Sequence, residues 1–208
     1  SIEKVDIDND VFALGSTTIS ISINLLSWTF GKYSRGAVKV HTLLDLRGSI
    51  PNFILITNGK YHDSNILDEL YFIPNAFYVM DKAYVDMNAL YNIHSQDSFF
   101  VTRAKKNMKY HIIEENFNIN ELIGLRFDKK ISLSVYKSNK IYPENLRLIG
   151  YYDTEKDEIF EFLTNNFDIT ALEIANLFKN RWQIEVFFKW IKQNLTIKHL
   201  WEVYRKCC

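Results

Sequence analysis

Apolar and polar positions alternate in short runs along the first half of the chain. Within residues 11–23, Ile19, Ile21 and Ile23 alternate with Ser20, Ser22 and Asn24, which is the two-residue period of a strand. A turn around residues 31–36 follows. Aliphatic and β-branched runs at 37–46 and 52–57, separated by a Gly- and Pro-containing break at 48–51, predict two more strands and hence a meander. The pattern then changes character: 63–70 and 86–95 read as helices, 76–80 as a short apolar strand stopping at Asp81, and 98–103 as another strand. This half is α/β. Short strands return at 131–136, 146–152 and 159–163, joined by polar turns. The last element is the clearest. Thr170 followed three residues later by Glu173 forms a capping box, and no Gly or Pro interrupts the chain beyond it, so one long helix is expected from there.

On that helix, at about 100° per residue, Arg181, Glu185 and Lys192 fall within about 40° of one another and share a stripe. Leu177, Trp182, Ile184, Val186, Trp190 and Ile191 occupy much of the rest, so the helix is expected to be buried on most sides, with Trp182 and Trp190 in the core. Two readings of the stripe stay open: an ordinary Arg181–Glu185 surface pair at i,i+4, or a charged edge facing a cleft or a charged ligand, since unpaired buried charge is costly.

Composition narrows the class. The 208 residues are 47% apolar and 15% aromatic, enough to fill a core and unlike disordered or disulfide-scaffold chains. No stretch approaches the roughly 18 consecutive apolar residues of a membrane span, and no leader opens the chain, so a cytoplasmic protein without membrane contact is expected. Cys207 and Cys208 are adjacent and read as tail. The 25 basic and 25 acidic side chains cancel overall but not locally: residues 100–150 carry +5 and residues 171–208 carry +4. Arg103, Lys105, Lys106, Lys109, Lys129, Lys130, Lys137 and Lys140 read either as solvated hairpin residues or as local phosphate-binding density.

The run Phe178-Lys-Asn-Arg181-Trp-Gln-Ile-Glu185-Val-Phe-Phe-Lys-Trp-Ile-Lys192 resembles the Tyr-x2-Arg-x3-Glu-x6-Lys signature of the fourth insertion-sequence family of bacterial transposases, with Phe178 in the Tyr position. The stretches at 36–45 and 78–84, the latter Tyr78-Val-Met-Asp81-Lys-Ala-Tyr84, are similar to the same family's blocks around its second strand and second catalytic aspartate. The resemblance covers residues 10–199. It implies a ribonuclease-H-like mixed sheet flanked by helices, with a β-rich insertion before the last catalytic helix. Residues 1–104 would open the core, 105–168 form the insertion, and 169–208 complete the core with a divergent tail. It further implies a DDE active site in which two aspartates and a glutamate hold two Mg2+ or Mn2+ ions for strand cleavage and strand transfer. In that scheme Asp81 and Glu185 are catalytic metal ligands, and Arg181 and Lys192 contact DNA. The partner is double-stranded DNA, as transposon ends and target, with a homodimer left open.

One departure matters most. The family's first catalytic aspartate precedes a Ser-Thr-Thr run, and here Gly15 stands before Ser16-Thr17-Thr18. Glycine offers no ligand. Asp8, Asp10 and Asp45 are the nearest carboxylates in sequence but lie off position 15 in the strand pattern, so an inactive copy is expected. The start at Ser1 without a DNA-end-binding region and the unfamiliar stretch after residue 200 read as truncated or shifted ends. The alternatives are a DNA-binding or dimerising remnant and a ribonuclease-H-like nuclease. Asp81 as a simple turn cap is the bland reading of that residue. His41 and the His62 and Asp63 pair are read as structural, since two-metal chemistry needs no histidine base.

Overall fold

A computed structural model describes residues 7–22, 35–117 and 119–194. The turn expected around 31–36 falls mostly outside them, as does the tail with Cys207 and Cys208. Among the described residues, strands β1 (Val11–Ser22), β2 (Arg35–Asp45), β3 (Ile50–Asn58), β4 (Phe77–Met80), β5 (Phe99–Arg103), β6 (Tyr110–Glu115), β7 (Leu125–Leu133), β8 (Leu146–Asp153) and β9 (Glu158–Thr164) form one sheet. Its order is β3-β2-β1-β4-β5-β9-β8-β7-β6. The expected meander is present: β1 pairs antiparallel with β2, and β2 with β3. Pro51 lies in β3, an edge strand, where a missing N–H is tolerated. β1–β4 and β4–β5 are parallel. An antiparallel meander continued by parallel β4 and β5 is the ribonuclease-H-like arrangement, and the fold is α/β.

Both faces of the central strands are covered, so alternate residues feed two cores. Phe12, Leu14, Tyr78, Met80 and Phe100 point to a core closed by the 3-10 helix Asp63–Glu69 and by α1 (Met87–Ser95). Val11, Ala13, Phe77, Val79 and Val101 point to the opposite core, closed by α3 (Ala171–Asn180) and α4 (Trp182–Asn194). The strands at 105–168 extend the same sheet: β9 pairs with β5, and β8, β7 and β6 follow outward.

Three expectations are corrected. The strand expected at 131–136 ends at Leu133, and Tyr136 opens a short helix, α2 (Tyr136–Ile141), where Asn139 N–H donates to Val135 O (2.8 Å). The single long helix from Thr170 is two helices meeting at Arg181. Arg181 N–H donates to Phe178 O and Ile184 N–H to Arg181 O, both three-residue steps that tighten the chain there without Gly or Pro. Nor is the second helix buried on most sides. Only Ile184, Phe188 and Ile191 are buried, because α4 rests on the sheet with one face, leaving Trp182 39% and Trp190 60% exposed. The core position expected for both tryptophans is therefore not what the fold provides.

Candidate active site

The C-terminal ends of β4 and β5 and the interior of β1 around Gly15 define the site. Registered pairs run Val11–Phe77, Phe12–Tyr78 and Ala13–Val79, and Gly15 lies as many residues past the last pair on β1 as Asp81 does past it on β4. On the other side Met80 pairs with Thr102, so the next step brings Asp81 level with Arg103. Asp8, Asp10 and Asp45 belong to the opposite end: Phe77 N–H donates to Asp10 O, and Asp45 pairs with Phe12. None of these three takes the place of a carboxylate at position 15.

Asp81 and Glu185, distant in sequence, line one cavity of about 430 Å³ together with two further carboxylates, Asp153 and Glu155, and with Arg103, Arg181, Lys179 and Lys156. Its floor is aromatic. Arg103 lies over the Phe160 ring at 4.5 Å and Arg181 over Phe178 at 5.4 Å, while Phe162 and Phe178 pack at 4.8 Å. Lys192 is exposed on the last turn of α4 and is not among the lining residues. Sequence reasoning placed Arg103 only within a basic run. Its position beside Asp81 depends on the parallel pairing of β4 and β5.

The carboxylates are already engaged. Asp81 Oδ1 accepts the Lys82 N–H (2.7 Å) and caps the short 3-10 turn Lys82–Tyr84, the bland role of a strand-ending Asp. Glu185 Oε1 accepts from Arg181 Nη2 at 2.8 Å, the i,i+4 pair, although Glu185 remains 57% exposed. Thus the cavity and the ion pair coexist. Gly15 is buried, and a Cβ there would meet Ile184 Cδ1 at 2.9 Å and Phe188 Cε2 at 3.1 Å. β1 at Gly15 therefore lies against the apolar face of the helix carrying Glu185.

This donor set does not fit a pair of divalent cations. Among the described residues, no three Asp, Glu, His or Cys side chains converge closely enough to hold even one ion. Glu185 is neutralised by Arg181, and position 15 supplies no oxygen.

Ser16, one residue on, joins a polar group on the opposite face of β1. Its hydroxyl donates to Asp63 Oδ1 (2.6 Å), which also takes Lys39 Nζ at 2.8 Å. The His41 ring lies beside them, with Nδ1 3.7 Å from Asp63 and Nε2 3.1 Å from Thr57 Oγ1. Burial pushes the Tyr84 hydroxyl well above its ordinary value. The histidine stays structural. Burial pushes His41 below its ordinary value, against the pull of Asp63. Burial raises the Asp63 carboxyl, but the hydrogen bonds from Lys39 and Ser16 outweigh it and hold the net value low.

Both groups therefore bind fewer protons folded than unfolded as the pH falls. The His41 contribution is fully present above about pH 6.5 and is lost below it. The Asp63 contribution is present above about pH 4 and lost as the pH falls through the depressed folded value. Urea midpoints should fall in two stages on acidification, and His41→Gln should remove the upper one. A pH-independent midpoint in the unaltered chain would contradict this.

Residues 4–200 match the transposase DDE domain family. The probable transposase for insertion sequence element IS5377 of Geobacillus stearothermophilus is 29% identical over 193 residues, 89% of this chain and 48% of that protein. The putative transposase y4zB of Sinorhizobium fredii is 30% identical over 188 residues, 89% of this chain and 52% of that one. The putative transposase for insertion sequence element IS4SA of Synechocystis is 27% identical, covering 92% and 53%. The chain thus spans about half the length of the curated relatives it matches. A piggyBac transposase in a synaptic complex with hairpin DNA superposes with a TM-score of 0.49 at 9% identity, over 87% of this chain and 40% of that one. With the family match running over nearly its whole length, this chain belongs to the DDE-domain transposases.

Proposed function

We propose that the chain is the catalytic domain of an insertion-sequence DNA transposase, acting on double-stranded DNA, whose strand-cleaving chemistry is disabled at position 15. One observation carries the reading: Asp81 and Glu185, 104 residues apart in sequence, line the same cavity; a glycine two residues beyond the last β1–β4 pair supports the disabled position. In an intact DDE site, Mg2+ or Mn2+ held by three carboxylates supplies the activated oxygen and stabilises the leaving one. Here Asp81 and Glu185 are what remains of that set. Arg181 and Arg103, at the cavity wall, would exchange their ion pairs with Glu185 and Glu158 for phosphate oxygens, and Lys192 would contact DNA farther along α4. The strands of 105–168 are read as an insertion between the second and third acidic positions.

The reading is tested by incubating the unaltered chain with terminal-repeat duplexes in Mg2+ and in Mn2+. Expected are duplex binding and no cleavage above the level of a D81N/E185Q variant. Metal-dependent cleavage by the unaltered chain overturns the inactivity. Failure to bind any duplex overturns the transposase reading itself.

A further inference from the structure

The fold sorts the basic run of residues 100–150 into two groups. On β7, Lys129 pairs with Glu115 at 3.2 Å, which offsets its charge locally, and Lys130 stands over the Phe167 ring at 5.8 Å. Lys105 and Lys109 in the turn between β5 and β6, and Lys137 in the first turn of α2, instead line a single open cleft of about 390 Å³. The carboxylate lining it, Asp86, is spent on α1: its Oδ1 accepts the N–H groups of Asn88 (3.0 Å) and Ala89 (3.2 Å). Lys105 Nζ is held by Val85 O at 2.7 Å, a contact that leaves its charge unneutralised. Among the described residues, Lys109 and Lys137 have no ion pair.

The cleft and the carboxylate cavity are close along the chain but lie against opposite cores: Val85 and Leu133 of the cleft belong to the core closed by α1, and Phe162 and Ala175 of the cavity to the core closed by α3 and α4. Arg103 lines the cavity, and Lys105, two residues later on the same chain segment, lines the cleft. Val85, which anchors Lys105, lies four residues beyond Asp81. Three cations drawn from two separate segments outnumber the one carboxylate that lines the cleft, and the local excess of positive charge is one that an anionic partner would offset. Flexible ammonium groups spread over an open cleft act as point charges, suited to a repeating phosphate backbone more than to bidentate recognition of one group.

We propose that this cleft binds the phosphate backbone of duplex DNA, with Lys105, Lys109 and Lys137 as the phosphate contacts. It rests on the transposase reading and adds where the duplex lies. The test is fluorescence anisotropy of a labelled duplex of random sequence over a salt series. Each Lys→Gln change in the cleft should lower the slope of log K against log salt by about 0.9, and the triple variant K105Q/K109Q/K137Q by nearly 3. Lys60→Gln, in the turn after edge strand β3, should leave the slope unchanged. The K109Q/K137Q pair keeps the Lys105–Val85 contact and so guards against a folding defect; its slope should fall by about 1.8. If the unaltered chain binds DNA and these variants bind with the same slope and affinity, the cleft is overturned and the transposase reading stands. If the unaltered chain shows no salt-sensitive binding, both fall.

Discussion

Gly15→Asp is expected to raise metal-dependent strand cleavage roughly 100-fold or more above the unaltered chain, and Asp81→Asn in the same molecule to remove the gain. Position 15 packs against the helix that carries Glu185, and on the proposed reading a carboxylate there would join the two that share a cavity. The new Cβ would meet Ile184 Cδ1 at 2.9 Å, Phe188 Cε2 at 3.1 Å and Ile184 Cγ2 at 3.3 Å. The tightest neighbour is the free end of a flexible side chain, so a shift of the Ile184 rotamer makes room at a cost of about 1 kcal/mol. A third negative charge also needs compensation. The variant should therefore melt below the unaltered chain in chelator and regain the loss in Mn2+, since a ligand that binds only the folded state stabilises it. Gly15→Ala imposes the same displacement without an oxygen. It should show neither cleavage nor Mn2+ stabilisation. Equal activity of the Ala and Asp variants would mean that packing, not the missing ligand, governs position 15.

How much of this was legible in the sequence depended on whether the signal was local. The Thr170 and Glu173 capping box forms with both arms, Glu173 N–H to Thr170 Oγ1 (3.2 Å) and Thr170 N–H to Glu173 Oε2 (2.7 Å), because the interaction lies within four residues. The first meander and the strand ending at Asp81 were readable for the same reason. The break at Arg181 was not, since it is made by hydrogen-bond spacing in a stretch without Gly or Pro. The outward face of α4 was misread because apolar composition does not say how many sides of a helix will find a partner. At the site, Asp81 and Glu185 came from family resemblance, and nothing local predicts that they share a cavity. Likewise, the split of the basic run into paired Lys129 and unpaired Lys109 follows from β6 pairing with β7. Strand pairing of that kind is a tertiary fact.

Arg147→Met is expected to cost about 3–5 kcal/mol of stability, more than any other surface or cavity change considered above. Arg147 on β8 donates Nε to Asp128 Oδ1 and Nη2 to Asp128 Oδ2, each at 2.9 Å, and Nη1 to Ile169 O at 2.6 Å. The two side chains are only 10% and 12% exposed, so water cannot take over the bond that is lost. Methionine replaces much of the volume but leaves Asp128 as an unpaired carboxylate in the sheet and Ile169 O without its donor. The damage should reach the site. Ile169 directly precedes the Thr170 cap of α3, which leads into the helix bearing Glu185, so amide exchange in the first turn of α3 should accelerate with the loss of stability. D128N/R147M removes both charges and should recover about half or more of the stability, since an uncharged pair carries less desolvation cost. It should not restore the slow exchange at α3, because the Arg147–Ile169 contact is still missing. Full recovery of both readouts would show that the charge on Asp128 alone, and not the tie to Ile169, sets the rigidity of this end of the helix pair.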